Sequence, residues 1–444
     1  MSANAPRPSG GSVGSGGSQR ERIVEGMIAA ANREGYAGAN VAAVIEAAGV
    51  SRPTFYQHFS GREQCFVAAI DEVHAALLGE LRATLARNPA ERADPTAVEA
   101  LVAFAGSEPA RARFLMSESL AGGAVTLDAR DRSVKQLAEV LDRRRQALGP
   151  GASAADLPSE IMVGAAFRML GSRLRRGERA LSGLTRKMLR FIGHYQRPMK
   201  EHRWPSVAMQ RSVAASPARR NSTLLPPAPL PPGRPRIGED AVAENHRLRI
   251  MFATAELVRE GGYAAATIAE ITKRAGVDGR VFYRMFADKQ EAFSAIHELG
   301  FQQLMAATAG AFFAAELWPE RLWQALGTLA DWLDGNPAIA HVGFVESYAV
   351  GPGAVQRVED SLIAFTIFLQ EGYQHQPIEH SPSHEALEAI VTCVFEIVYR
   401  ELRRSEEPRI SATLPALTYV SLAPFLGVGE ADRFIDAQLA GDPS

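Results

Sequence analysis

An all-α fold in which one unit occurs twice is what the sequence predicts, and three observations predict it. Alanine and arginine are heavily used while aromatic residues make up only 7% of the 444-residue chain, a balance that favours helices over strands. The stretch Gly49 to Phe59, Gly-Val-Ser-Arg-Pro-Thr-Phe-Tyr-Gln-His-Phe, returns as Gly276 to Phe286, Gly-Val-Asp-Gly-Arg-Val-Phe-Tyr-Arg-Met-Phe, with an offset of 227 at Phe55 and Phe282. The matches then continue. Pro109-Ala110 pairs with Pro337-Ala338, Glu118-Ser119 with Glu346-Ser347, and Leu174-Arg175-Arg176 with Leu402-Arg403-Arg404, each at an offset of 228. One residue of drift over that length points to duplication of a whole unit of ~200 residues.

Residues 1–18 are rich in Gly, Ser and Pro and read as a disordered tail with no signal-peptide pattern. A first helix is expected from Gln19 to Glu34, with Ile23, Met27, Ala30 and Ala31 on one face and Gly35-Tyr36 as its stop. Asn40 caps a second helix whose Val41, Val44, Ile45 and Ala48 recur at helical spacing. Gly49 supplies the tight turn, Ser51 caps a third helix, and Pro53 is tolerated in its first turn. Phe55 and Phe59, four apart, face inward. Residues 19–66 thus form one small domain and 67–204 a larger helical one, with no strand pattern in competition. Residues 205–233 are rich in Pro, Ser, Ala and Arg and read as a linker, which could span ~95 Å fully extended or average ~30 Å as a flexible coil. The plan then repeats as 234–293 and 294–444. Gly262-Tyr263 ends one helix, Thr267 caps the next, and Ile268, Ile271 and Ala275 face inward before the Gly276 turn and the Asp278 cap.

These residues resemble the TetR family of transcriptional regulators, once in each half. The first copy carries Gly35-Tyr36, Asn40, Ala48-Gly49-Val50-Ser51, Phe55-Tyr56, His58-Phe59 and Arg62; the second carries Gly262-Tyr263, Thr267, Ala275-Gly276-Val277, Phe282-Tyr283, Phe286 and Lys289. The resemblance implies a three-helix DNA-binding domain and a helical effector and dimerisation domain in each half. It also implies a double-stranded DNA operator as partner and a small-molecule effector. A recognition helix reads bases from its first turn. The resemblance assigns that reading to Arg52, Pro53 and Thr54, and phosphate contacts to Asn40, Tyr56, His58 and Arg62. An arginine there can reach guanine O6 and N7, and a threonine methyl can touch thymine. In the second copy Gly279, Arg280 and Val281 hold the reading positions, with Thr267, Tyr283 and Lys289 at matching backbone positions. That copy departs from the family pattern: Asp278 sets a carboxylate where phosphate would approach, Met285 replaces the polar residue at the His58 position, and Arg284 offers some compensation. Arg234 and Arg236, in Gly-Arg-Pro-Arg, are similar to the short basic arm that precedes the first helix in many members.

Other function classes find no support in the sequence. There is no nucleophile elbow, phosphate loop or zinc motif, and the histidines lack metal-ligand spacing, so neither enzyme chemistry nor a cofactor is expected. The richest apolar run, Ile390 to Tyr399, is broken by Glu396 and is far short of the ~20 residues a membrane span needs. Two cysteines, one per half, suit a reducing cytoplasm. The second effector region concentrates aromatics, and Trp323, Trp332, Phe344, Tyr348, Phe365 and Phe368 are expected to line a largely apolar effector cavity.

Charge divides the chain. Residues 1–240 hold 33 Lys and Arg against 23 Asp and Glu, and the remainder holds 15 against 27. The expected dimerisation segments divide the same way: 159–204 carry 11 basic against 3 acidic residues, and 384–436 carry 5 against 9. Pairing the two halves with each other joins opposite charges, whereas pairing like with like opposes them. The expectation is a ligand-responsive regulator, a repressor by resemblance, folded as a single-chain pseudo-dimer with 159–196 docked on 385–427. A homodimer is the other arrangement. An adaptor working through protein contacts, with one or both readers inactive, is the alternative function.

Overall fold

The computed structural model describes residues 18–203, 223–231, 238–374, 382–404 and 407–440, and they form an all-α protein. The first reading domain is α1 (Gln19–Gly38), α2 (Val41–Ala48) and α3 (Arg52–His58). Ser18 and Glu21 open α1 with a reciprocal capping box. Gly35, at φ 71°, kinks α1 without ending it, so the helix runs one turn past the expected stop. Asn40 Oδ1 accepts from the N–H groups of Ala42 and Ala43, and Ser51 Oγ from that of Thr54, so both helix starts are capped by side chains. Between them Gly49 adopts φ 61°, ψ 40°, and Gly276 repeats the turn at φ 62°, ψ 41°. Any side chain would be strained in that left-handed conformation. Phe55 and Phe59 are buried beneath α3, as expected from their spacing.

The rest of the first unit is α4 (Arg62–Arg87), α5 (Ala93–Ser107), α6 (Pro109–Met116), α7 (Ala124–Gln146), α8 (Ser159–Arg175) and α9 (Ser182–Gly193). A strand pair unforeseen in the sequence, β1 (Ser153–Ala155) and β2 (Gln196–Pro198), runs antiparallel with Ser153 opposite Pro198. Three residues are too few to show a period-2 pattern.

The second unit repeats the order as α10 (Glu239–Ala265), α11 (Ile268–Ala275), α12 (Gly279–Met285), α13 (Lys289–Phe312) and α14 (Trp318–Gly335). Then follow α15 (Pro352–Phe365), α16 (His384–Arg404), α17 (Leu414–Leu426) and α18 (Val428–Ala440). Residues Val342–Glu346, between α14 and α15, form a π turn. Thr223 to Pro231, within the expected linker, lie against this unit. The Leu224 N–H donates to Asn336 Oδ1 at 2.7 Å, and Arg249 and Asn245 donate to the carbonyls of Pro227 and Ala228. A proline-rich strand lacks donors but keeps its carbonyls, which is how it is held.

The two units meet along α8 and α9 of the first and α16 and α17 of the second. The buried apolar side chains of both belong to one continuous core. Tyr195, fully buried, donates its hydroxyl to the Val420 carbonyl at 2.7 Å across the seam.

Candidate functional site

Both reading helices present their first turns to solvent. Arg52, Pro53, Tyr56 and His58 are exposed on α3, as are Gly279, Arg280, Tyr283 and Arg284 on α12, while Thr54 and Val281 are half-buried. Arg52, Arg280 and Arg284 have no carboxylate partner among the described residues, so their charge is available to an incoming polyanion. Thr54 Oγ1 lies 2.8 Å from Ser51 Oγ, which leaves its methyl group free. Asp278 Oδ1 accepts from the Arg280 N–H at 2.7 Å and so serves as the α12 cap. Met285 is half-buried and packs on the core.

Two residues expected at phosphate have structural partners. Arg62 donates to the carbonyls of Tyr36 and Ala37 with its guanidinium 4.3 Å from the Tyr36 ring centre. Lys289 donates to the carbonyls of Tyr263, Ala264 and Ala266 at the same distance over Tyr263, and burial lowers its pKa. Each cation tethers the kinked end of the first helix to the start of the fourth. Asn40 and Thr267 likewise spend their side-chain oxygens on helix caps. Arg234 and Arg236 lie outside the described residues.

In the second unit an apolar slot runs among α13, α14, α15 and α16. It holds about 1010 Å³ of atom-free space counting its mouth, of which about 100 Å³ admits the centre of a water molecule. It is therefore narrow. Of the six aromatics singled out in the sequence, Trp332, Phe344, Phe365 and Phe368 line it. Trp323 and Tyr348 do not. Trp323 packs edge-on against Phe434 of α18, and Tyr348 turns to the seam, where its hydroxyl accepts from Arg168 at 3.3 Å. Trp323 and Trp332, nine residues apart, lie on opposite faces of α14, and the π turn separates Tyr348 from the face of Phe344. His297, 7% exposed, also lines the slot. Its Nδ1 has no partner, and burial, with Arg357 nearby, lowers its pKa to about 4, so it is neutral at pH 7.

The π turn joins this slot to the reading domain. Gly343 and Phe344 face the slot, and Phe344 stacks on Phe395 at 4.6 Å. Glu346, two residues on and buried, accepts from the Tyr263 N–H at 2.9 Å, next to the Gly262 kink of α10. π turns place one extra residue in a helix and re-aim side chains.

At the seam, Arg168 of α8 donates through Nε to Glu396 of α16 at 2.8 Å, both buried. The residues are 228 apart, the offset of the repeat, so one position of the unit meets its own counterpart on a local two-fold axis. The flanking pairs obey the same symmetry. Arg175 bonds Glu359 and Arg403 bonds Asp131, the same pair made twice. Glu160 takes Arg400 at 2.6 Å and its equivalent Glu388 takes Arg173 at 2.7 Å, the glutamates matching at 228 and the arginines one position out of register. Glu396 also pairs with Arg130 at 3.5 Å and Arg400 at 3.1 Å. Burial pushes its carboxyl up, but Arg130, Arg168 and Arg400 outweigh that and hold it at about 2. A Cβ on Gly164 of α8 would collide with the Glu396 carboxylate, so glycine is what lets the helices approach there. None of Arg130, Arg168 and Glu396 stood out from single motifs. Setting the two halves side by side at 228 would have exposed Arg against Glu at one position of an expected interface helix.

Among the described residues no group of three His, Cys, Asp or Glu is placed to hold a metal ion, and no helix is long and apolar enough to cross a membrane. Residues 23–69 and 250–296 each match the family model of bacterial regulatory proteins, tetR family. No curated protein matches the chain. Similar solved structures include the fatty acid degradation regulator FadR from Bacillus halodurans, 17% identical over 40% of this chain and 94% of that one, with a TM-score of 0.36. FadR from Bacillus subtilis is 18% identical over 40% and 98%, with a TM-score of 0.34. A tetR-family regulatory protein from Rhodococcus RHA1 is 24% identical over 40% and 95%, also at 0.34. With both reading domains matched, the chain is a tandem TetR-type DNA-binding transcription regulator, two tetR-family domains in one polypeptide.

Proposed function

We propose that the chain is a ligand-responsive repressor that binds DNA as an intramolecular pseudo-dimer, its two unequal heads reading the two halves of one asymmetric operator. The observation that carries this reading is the Arg168–Glu396 contact between equivalent positions. In a homodimer built from identical units, Arg168 would face Arg168 and Glu396 would face Glu396, each a buried like-charge pair. Within one chain the pair is complementary. In the first head, Arg52, Pro53 and Thr54 read base edges while Tyr56 and His58 hold phosphate; in the second, Arg280 supplies the polar contact and Arg284 the backbone one. Arg62, Lys289, Asn40 and Thr267 act mainly by fixing the reading helices, and Arg234 and Arg236 by reaching the minor groove.

Response to a ligand follows from the π turn. A molecule entering the slot presses on Phe344, and the same turn carries Glu346, which holds the Tyr263 N–H at the kink of α10. A change there re-angles the second head relative to the first, a bias that each bound state applies to the other. Footprinting on DNA flanking the gene tests the operator claim. Protection of two dissimilar half-sites by one complex is expected; a perfect inverted repeat counts against it. The adaptor reading has one observation in its favour, Asp278 at the start of α12. It predicts no salt-dependent retardation of that DNA by the full chain.

A further inference from the structure

A second cavity lies on the seam beside the slot, and its chemistry differs. It admits the centre of a water molecule over about 490 Å³, more than the slot, and its lining includes Arg168, Arg173, Arg175 and Arg176 of the first unit, with Glu359 and Glu388 of the second. Four guanidiniums and two carboxylates face it, while Glu396 behind Arg168 and Glu178 beside Arg173 and Arg176 are further resident partners. Arg168 is 6% exposed, and its Nη2 has no hydrogen-bond partner although Nε and Nη1 are engaged. A buried guanidinium with an unused donor is costly unless something pairs with it. Leu362 and Val391 belong to the walls of both this cavity and the apolar slot. A charged chamber and a narrow apolar one therefore share a wall, the first lined by both units with its arginines all from the first, and the second lined wholly by the second unit.

We infer that the two cavities form one composite site for a straight-chain amphiphile with an anionic head, its tail in the slot and its carboxylate or phosphate among Arg168, Arg173, Arg175 and Arg176. This rests on the ligand-responsive reading and names the class of ligand. Arginine forks suit either anion through paired N–H donors. The head competes with resident carboxylates. Arg175 is held by Glu359 and Arg173 by Glu388, and both bonds cross the seam. An incoming anion that takes over these guanidiniums releases Glu359 on α15 and Glu388 on α16. It thereby loosens one flank of the seam, while the Arg403–Asp131 and Arg400–Glu160 pairs on the other flank stay closed. The ligand acts as a wedge on one side of the local two-fold axis.

The test uses the full chain with three probes sharing one tail: dodecanoate, dodecyl phosphate and dodecanol. Quenching of tryptophan fluorescence reports tail entry, because Trp332 lines the slot. At least one anionic probe is expected to bind tenfold or more tightly than dodecanol, and which one does so identifies the head. Arg173→Gln and Arg175→Gln, tested separately so that one unstable variant does not end the experiment, are expected to erase most of that preference while leaving dodecanol binding unchanged. Equal binding of all three probes to wild type and variants overturns the anionic-head assignment and leaves ligand response intact. Absence of binding by every probe overturns the composite site. The broader reading then fails separately only if no apolar molecule alters the gel shift.

Discussion

Replacing Glu396 by glutamine removes a buried carboxylate shared by Arg130, Arg168 and Arg400 while keeping its shape. A carboxyl held at about 2, against an ordinary 4.5, is stabilised in the folded protein by about 3 kcal/mol at ~1.36 kcal/mol per pH unit. Full burial means solvent does not screen that figure. The substitution also leaves Arg168 without its anion, and Arg130 with Asp131 alone, a loss that runs at roughly 3–5 kcal/mol for a broken buried pair. Both routes agree on about 3 kcal/mol or more, a large share of the roughly 5–15 kcal/mol that holds a domain folded. Because the folded pKa is depressed, this contribution is complete above pH 4.5 and disappears as pH falls from 4.5 towards 2. Urea unfolding at pH 7 followed by circular dichroism should show E396Q destabilised by about that amount. The variant should also lose part of the wild-type acid sensitivity in that window. Unfolding within about 0.5 kcal/mol of wild type, with an unchanged acid profile, would refute the reasoning.

Other expectations concern the rest of the molecule. Arg52→Ala should weaken operator binding by ~1–3 kcal/mol and relax base preference at one position, measured by gel shift on a set of single-base operator variants. Gly164→Ala forces a methyl group onto the Glu396 carboxylate and should cost about 1–3 kcal/mol by overpacking, read from the same urea titration. His297→Leu removes a buried imidazole whose pKa is lowered from 6.5 to about 4. Neutral His297 favours the folded state above pH 6.5, and that advantage fades as pH falls towards 4, so the variant should show a flatter stability profile between those values. Glu346→Gln should leave slot binding intact while reducing the effect of ligand on DNA affinity, since it weakens the bond from the π turn to the Tyr263 N–H.

Much of this architecture is written locally. Capping residues, the Gly49 and Gly276 turns and the Phe55/Phe59 spacing specify the reading heads, because a three-helix unit is built from short-range contacts. The duplicated offset specifies that there are two of them. What the sequence conceals is side-chain direction over long range. Trp323 and Tyr348 sit among slot-lining aromatics in the chain yet serve α18 and the seam. Arg62 and Lys289 look like free cations but are bound to carbonyls that no local pattern reveals. The role of Glu396 was hidden in plain view as the charge that interrupts an apolar run. Its partners, Arg130 and Arg168, lie more than two hundred residues away, and only the packing of α8 on α16 brings them together.

The central claim is that one chain supplies both halves of the DNA-binding unit. Light scattering coupled to size exclusion, on the full chain alone and on its operator, tests it most directly. The account predicts a free mass of one 47.9 kDa chain and one chain per operator duplex. An obligate dimer of chains, or two chains on each duplex, would contradict it.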